Sequence, residues 1–337
     1  MGTNSAAAEL GLHLARIGEQ VGHSIAAQRD LARDHEVAEQ TSHDTIFAID
    51  RRIESVVVEA LQDLPAHLLP ASLVAEGVGD GPVRLGPAAG GARYCLMVDP
   101  IDGSRGLMYD KRSAWFLAVV APDRGEETRL SDAVVSVLVE LPTSKQGRAD
   151  TFIAHNDRGW HVNAYRRDLK SGDRETLSPA PSTASTLRHG FAQVSAFFPG
   201  TLRLAADLAE DIAEATLGEV AVSEASLFND QYISTGGQFV ELATGRDRFT
   251  CDLRPLFFEI LKRRGVDVTA GLCCHPYDIA GAPAAVAMGA ILTDGFGERL
   301  DAPFDLETPI HWCGYANADL QAVIQPVIRE WLTRNLA

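Results

Sequence analysis

The sequence predicts a layered α/β or α+β fold, because helix-like and strand-like stretches follow one another twice along the chain. Apolar residues recur every three to four positions over residues 6–27 and 45–61, which is typical of amphipathic helices. A short uninterrupted apolar run at residues 94–98 is bounded by turn-forming residues and is typical of a buried strand. A second set of helical patterns begins after residue 200.

The first half of the chain contains further strand and loop signals. Residues 72–78 are predicted to form a short strand, and the Gly- and Pro-rich residues 79–91 a loop. Four more stretches are typical of antiparallel strands that lie behind the two helices: residues 115–120, 133–140, 151–154 and 160–164.

A Ser-, Pro- and Thr-rich segment at residues 171–185 is the predicted subdomain boundary. It assigns residues 1–185 to an N-terminal α+β subdomain and residues 186–337 to a C-terminal α/β subdomain. The C-terminal part is predicted to contain four helices, at residues 202–217, 236–244, 276–288 and 317–332.

The chain is acidic, with a formal net charge of −16 over 337 residues. This charge argues against binding to a nucleic-acid polymer or to an anionic membrane, and it repels phosphate esters unless bound cations reverse the local charge. No apolar run approaches the ~18 residues that span a bilayer. The N-terminus lacks the pattern of a secretory signal, and the five cysteines show no paired spacing, so we expect a cytoplasmic protein.

The most informative segment is DPIDGS, residues 99–104, which follows the predicted buried strand directly. Asp99 and Asp102 stand at a strand end on a Pro-fixed turn, so both carboxylates can point into one pocket, where they suit a hard cation. Gly103 permits close approach of the backbone to a ligand, and Ser104 adds a hydroxyl. The same residue types are the commonest turn formers, so this segment alone is equally compatible with a plain polar turn.

The DPIDGS segment resembles the D-P-[IL]-D-G-[ST] signature of the inositol monophosphatase superfamily, which includes fructose bisphosphatases and bisphosphate nucleotidases. Other segments resemble further motifs of that family in the same order. They are the spacing of Asp44, Asp50 and Glu54, the VAEG segment at 74–77, the TGR segment at 244–246 with Asp252, and the HPYDIAG segment at 275–281. The resemblance spans about residues 44–314 and implies a layered α-β-α-β-α sandwich of the sugar-phosphatase kind.

The resemblance implies a role for each matching residue. Glu76, Asp99 and the Ile101 carbonyl would hold one Mg²⁺, and Asp99, Asp102 and Asp278 a second. Asp50 and Ser104 would orient a water molecule that the cations activate, and Glu76 would accept its proton. The substrate contacts would come from Gly103, Ser104, Arg105 and Asp252.

The implied activity is Mg²⁺-dependent hydrolysis of a phosphate monoester on a small polyol or sugar, such as inositol 1-phosphate. The resemblance also implies two or three Mg²⁺ ions per site, with Mn²⁺ as a substitute, and a homodimer. The N-terminal subdomain would carry most metal ligands, and the C-terminal subdomain would close the substrate pocket.

Departures from the family pattern keep two alternatives open. Gly77 replaces the second Glu of an upstream pair and Ser104 replaces Thr, which leaves room for a catalytically silent member with a weaker third metal. Arg105 resembles the bisphosphate nucleotidase branch, which suggests a substrate such as a nucleotide 3′,5′-bisphosphate or fructose 1,6-bisphosphate; a solvated arginine at a loop exit is the simpler interpretation. The basic segment at residues 253–269 either covers the pocket or forms a solvated helix face.

Overall fold

The computed structural model describes residues 3–40, 45–79, 81–87, 89–218, 224–268 and 272–337. Within these residues the chain forms eight α-helices and several short 3₁₀ turns. The helices are α1 (Thr3–Gln28), α2 (Ala48–Gln62), α3 (Ser104–Met108), α4 (Leu202–Leu217), α5 (Thr235–Ala243), α6 (Arg254–Arg263), α7 (Ala282–Ala287) and α8 (Ala318–Leu336).

The described strands belong to three sheets. A two-stranded ribbon contains β1 (Val37–Gln40) and β2 (Thr45–Phe47). The large sheet is built from β3 (Ala71–Ala75), β4 (Val83–Leu85), β5 (Tyr94–Asp102), β6 (Ala114–Pro122), β7 (Val135–Leu141), β8 (Arg148–Asn156), β9 (Trp160–Asp168) and β10 (Arg174–Thr176). The smaller sheet contains β11 (Phe191–Val194), β12 (Asp247–Asp252), β13 (Ile291–Thr293) and β14 (Trp312–Tyr315).

The large sheet has the strand order β10-β9-β8-β7-β6-β5-β3-β4, in which only β3 and β5 run parallel. Its central strands are buried on both faces, so they read as continuous apolar runs. Along β6, Phe116, Ala118 and Val120 face the cluster that includes α1 and α2. Trp115 and Leu117 face the opposite cluster, as the two-residue period of a strand requires.

Five layers follow from these contacts. Helices α1 and α2 cover the outer face of the large sheet, and α5 and α7 lie between it and the smaller sheet. Helices α4, α6 and α8 cover the far side of the smaller sheet, whose order is β11-β12-β14-β13. The layered α-β-α-β-α sandwich expected from the sequence is therefore confirmed.

Two predicted boundaries in the first half are wrong. The helix predicted over residues 45–61 starts at Ala48, because residues 45–47 pair with β1 and Asp50 accepts a hydrogen bond from the Phe47 N–H at 2.9 Å. The loop predicted over residues 79–91 contains the short strand β4, which pairs with β3.

Two further corrections concern Pro and edge pairing. The helix predicted over residues 276–288 is divided into a 3₁₀ turn, Tyr277–Ile279, and α7, because Pro283 fits only the first turn of a helix. The predicted linker at residues 171–185 contains β10, which pairs with β9 at the sheet edge. The subdomain boundary itself stays a prediction.

A membrane crossing needs a helix that is both long and apolar. No helix in the described part of the chain has this combination.

Candidate active site

A β-bulge at the end of β5 brings Asp99 and Asp102 to the same side of the sheet. In a regular strand two residues three positions apart point to opposite faces. Here Asp99 lies opposite Leu117 and Asp102 opposite Trp115, so β5 has one residue more than β6 over this interval. The extra residue reverses the alternation, and both carboxylates point to the face that carries Trp115 and Leu117.

The turn after the bulge requires glycine at position 103. Gly103 has φ +89°, in the left-handed region that side chains other than glycine rarely adopt. A Cβ atom there would also lie 2.7 Å from the Ile233 carbonyl oxygen and from the Ser234 Cβ. The segment that leads into α5 therefore packs directly against this turn.

Glu76 reaches the same place through the parallel pairing of β3 and β5 in the large sheet. The Glu76 N–H donates to the Val98 carbonyl at 3.1 Å, one residue before Asp99. Because β3 and β5 are parallel, their carboxyl ends meet at one edge of the sheet. Glu76 and Asp99 line the same cavity.

Asp278 lies in the turn before α7, about 180 residues after Asp99 in the chain. Its Oδ2 accepts the backbone N–H of His275 at 2.6 Å, which fixes the carboxylate at the start of the 3₁₀ turn. One carboxylate oxygen from each of Asp99, Asp102 and Asp278 lies within 4.8 Å of the other two. Residues from two distant segments thus form one acidic cluster.

Burial and mutual repulsion make this cluster hard to ionise. Burial raises the pKa of Asp99 well above its ordinary value, and the carboxyl groups of Glu76, Asp102 and Asp278 raise it further. Burial likewise raises the pKa of Asp278 well above its ordinary value, followed by the charge of Asp102. The pKa of Asp102 is raised by burial to about 6, although hydrogen bonds from Ser234, Gly236 and Thr235 lower it.

The cluster fits a divalent cation of the hard kind. Its ligand atoms are all oxygens, which Mg²⁺ and Mn²⁺ prefer. In the described part of the chain, no Lys or Arg forms an ion pair with these three carboxylates, and the nearby guanidinium of Arg254 is paired with Asp252. A bound cation would remove the repulsion that raises these pKa values.

Comparison with known proteins gives matches at the level of structure. Neither a family model nor a curated protein sequence matches the chain. A putative sedoheptulose-1,7-bisphosphatase from Toxoplasma gondii aligns over 96% of this chain and 94% of its own, with a TM-score of 0.64 and 12% identity. Fructose-1,6-bisphosphatase from Leishmania major aligns over 95% and 92%, with a TM-score of 0.63 and 12% identity. A Pyrococcus horikoshii protein described as similar to inositol-1 monophosphatase aligns over 95% and 96%, with a TM-score of 0.57 and 14% identity.

The chain has the inositol monophosphatase fold. The alignments cover nearly the whole length of each compared protein. The family resemblance predicted from the motifs is therefore confirmed at the level of the fold. At these sequence identities the structural similarity does not indicate the substrate.

Most of the site residues expected from the motifs line one cavity of about 680 Å³. They are Asp50, Glu76, Asp99, Ile101, Asp102, Gly103, Ser104, Arg105 and Asp278. Asp44, the first residue of the predicted helix motif, lies outside the described residues. The structure brings these positions to one cavity, and their individual roles stay predictions.

Asp252 is the expected site residue that does not line this cavity in the described structure. It is buried beneath Arg254, whose Nε and Nη2 donate to its carboxylate at 2.9 and 2.5 Å. Arg254 lines the cavity in its place. The predicted basic segment therefore has two different parts. Arg254 is buried at the cavity, whereas residues 262–264 are exposed to solvent.

Glu54 occupies the space that the family pattern assigns to a side chain at position 77. Gly77 has φ +73°, and a Cβ atom there would overlap the Glu54 carboxylate. Burial raises the pKa of Glu54, which also lines the cavity. The left-handed backbone at position 77 therefore favours glycine, and a larger side chain there would displace the Glu54 carboxylate.

Sequence reasoning missed the segment that holds Asp102. Asp102 accepts hydrogen bonds from Ser234 Oγ at 2.7 Å, from the Thr235 N–H at 3.1 Å and from the Gly236 N–H at 2.6 Å. Ser234 also caps α5 by accepting the Gly237 N–H at 2.9 Å. The available signal was a Ser before a helical pattern, which predicts an N-cap but not its distant partner.

An aromatic wall was also missed. Phe197 and Phe198 follow β11 and line the cavity. The Arg254 Cζ lies 5.0 Å from the centre of the Phe197 ring, and the Arg105 Cζ lies 5.4 Å from that of Phe198. Two adjacent aromatic residues before a Pro-Gly turn were the only signal in the sequence, and this pair is not specific for a binding site.

Proposed function

We propose that the chain is a Mg²⁺-dependent phosphatase that hydrolyses a phosphate monoester of a small polyol or sugar. The observation that carries this proposal is the cluster of Asp99, Asp102 and Asp278, with carboxylate oxygens within 4.8 Å of one another in a cavity of about 680 Å³. The DPIDGS motif and the fold, which the chain shares with proteins named as sugar bisphosphatases, support the same reaction class.

The charges of the cavity explain why a cation is part of the proposal. Phosphoryl transfer depends mainly on positioning and on neutralising charge, and an acidic cavity alone repels the substrate. Glu76, Asp99, the Ile101 carbonyl, Asp102 and Asp278 are the proposed ligands. When bound, Mg²⁺ supplies the positive charge that the phosphoryl oxygens need and lowers the pKa of the attacking water.

The remaining roles belong to side chains around this cluster. Asp50, fixed by its hydrogen bond from the Phe47 N–H, and Ser104 orient the attacking water. Glu76, which lies next to Asp99, accepts a proton from the attacking water. Gly103 and Ser104 bind phosphate oxygens at the turn, where the backbone is accessible to the cavity.

The test is a phosphate-release assay over inositol, hexose and glycerol phosphate esters, with Mg²⁺ and with EDTA. Asp102→Asn keeps the shape of the side chain and removes its charge. Asp319→Asn is the matched control, because Asp319 is exposed on α8 and lies away from the cavity.

We expect Mg²⁺-dependent release by the native chain and by Asp319→Asn, and none by Asp102→Asn. Two results contradict the proposal: no release from any ester with Mg²⁺, or full activity of Asp102→Asn. The first would favour the catalytically silent alternative. The expected homodimer is a separate prediction, which sedimentation velocity checks.

A further inference from the structure

Arg254 presents a guanidinium to the cavity at the place where the motif comparison predicts a carboxylate. Asp252 is almost fully buried, with 1% of its surface exposed, and its two oxygens are engaged by Arg254. Arg254 stands at the first position of α6, two residues later, and lines the cavity. A substrate therefore meets the cation of this pair and not the anion.

The hydrogen-bond donors of Arg254 are only partly used. A guanidinium has five N–H donors in a planar fork. Asp252 takes the Nε–H and one Nη2–H, and the Leu272 carbonyl accepts from Nη1 at 3.1 Å. The contacts of the described residues thus leave one N–H on each terminal nitrogen, so the guanidinium can still donate hydrogen bonds to an anion that enters the cavity.

The surroundings hold this guanidinium in place. The Arg254 Cζ lies 5.0 Å from the Phe197 ring centre and 5.6 Å from that of Phe198. Arg105 lies against the same Phe198 ring at 5.4 Å and lines the cavity too. The cavity thus has an acidic floor formed by Asp99, Asp102 and Asp278 and a wall of two guanidinium groups packed on aromatic rings.

We propose that the substrate carries a second anionic group, a carboxylate or a phosphate, remote from the phosphate that is hydrolysed, and that Arg254 binds this group. The inference rests on the proposed function, because the acidic floor is where the first phosphate would be held with its cation. A hydroxyl would accept one hydrogen bond from the guanidinium, whereas a carboxylate or phosphate carries the opposite charge and can accept two hydrogen bonds. Arg254 is then a specificity-determining residue.

The experiment compares esters that differ only in the remote group, on whichever carbon skeleton the release panel identifies. For a hexose these are the 6-phosphate, the aldonate 6-phosphate and the 1,6-bisphosphate. The variant Asp252→Asn/Arg254→Met removes both charges, so no unpaired buried charge remains. The control is Asp150→Asn/Arg166→Met, which removes another two-bond Asp–Arg pair, at 2.7 and 2.8 Å, away from the catalytic cavity.

We expect the native chain to prefer one of the doubly charged esters by about tenfold or more in kcat/KM, as two charge-assisted bonds imply. The Asp252→Asn/Arg254→Met variant should lose that preference through a rise in KM for the doubly charged ester that is larger than any change for the singly charged ester. The control variant should keep the preference. The two doubly charged esters distinguish a carboxylate from a phosphate as the recognised group.

Other outcomes separate this inference from the proposed function. Release from all three esters with equal kcat/KM refutes the role of Arg254 and leaves the phosphatase proposal intact. An equal loss on every ester in the charge-free variant also refutes it. No release from any ester refutes both. If the double variant fails to fold, Asp252→Asn/Arg254→Gln removes the same two charges and keeps side chains that can hydrogen-bond to each other, and an unchanged preference in that variant refutes the inference.

Discussion

Ser234 carries two hydrogen bonds that join the middle helical layer to the acidic cluster. Its hydroxyl donates to Asp102 at 2.7 Å and accepts the Gly237 N–H at 2.9 Å, so it both caps α5 and holds a proposed metal ligand. In Ser234→Ala both bonds are lost and Asp102 keeps only the Thr235 and Gly236 N–H groups.

The expected cost follows from these two bonds. Loss of a Ser N-cap costs about 1 kcal/mol, and loss of a hydrogen bond to a charged group about 1.5–3 kcal/mol. We therefore expect Ser234→Ala to lower the free energy of unfolding by about 2.5–4 kcal/mol. Mutation of a residue that hydrogen-bonds to a metal ligand typically lowers metal affinity by roughly 10–100-fold. We therefore expect Ser234→Ala to weaken Mg²⁺ binding by at least about tenfold.

Urea unfolding measures the first effect and isothermal titration with Mg²⁺ the second. Asn317→Ala is the matched control, since Asn317 caps α8 through the Leu320 N–H at 3.0 Å and lies away from the cavity. The control should lose stability and keep its Mg²⁺ affinity. If Ser234→Ala binds Mg²⁺ as tightly as the control does, the argument that Ser234 positions Asp102 is wrong.

Three further predictions address other parts of the structure. Gly77→Ala and Gly79→Ala should each cost the roughly 1–2 kcal/mol of a left-handed residue in urea unfolding, because the Cβ at position 77 meets the movable end of Glu54 and the Cβ at position 79 has its nearest neighbour at 3.8 Å. A much larger cost for Gly77→Ala would show that Glu54 cannot move away. Burial and then Glu241 raise the pKa of Asp247 to about 7, so the folded state binds the proton more tightly and stability falls as pH rises from about 4 to about 7. Asp247→Asn should therefore be more stable than the native chain by up to about 4 kcal/mol at pH 8, at about 1.4 kcal/mol per pKa unit, and not at pH 4. Mg²⁺ at about 100 times its Kd should stabilise the native chain by about 2.7 kcal/mol, measured as a Tm shift that EDTA reverses and that Asp102→Asn lacks.

The elements that the sequence predicts well are those with purely local causes. The apolar run before Asp99 identifies β5, and the periodicity of residues 6–27 identifies α1 within a few residues. The errors come from pairing and from proline: β4 and β10 are short strands formed by their neighbours, and Pro283 ends one helical pattern and begins another.

The acidic cluster was predictable for a different reason. Asp99 and Asp102 are close in sequence, and a single bulge is enough to align them. The motif comparison supplied Asp278, which no spacing argument reaches. The contacts of Ser234 and Arg254 were not predictable, because they depend on how the turn into α5 lies over Gly103 and how β12 turns into α6.

Asp102 both holds the start of α5 and belongs to the acidic cluster, so one side chain links the fold to the proposed chemistry. Its carboxylate satisfies two N–H groups at the start of α5, which would otherwise be buried donors without partners, and it also contributes an oxygen to the acidic cluster. A protonated Asp102 is a poorer acceptor for these donors, and an ionised one repels Asp99 and Asp278. A bound divalent cation would resolve this conflict, because it would favour the ionised form that α5 requires. Under the proposed function, the position of α5 between the two sheets and the binding of the cation would therefore depend on the same charge.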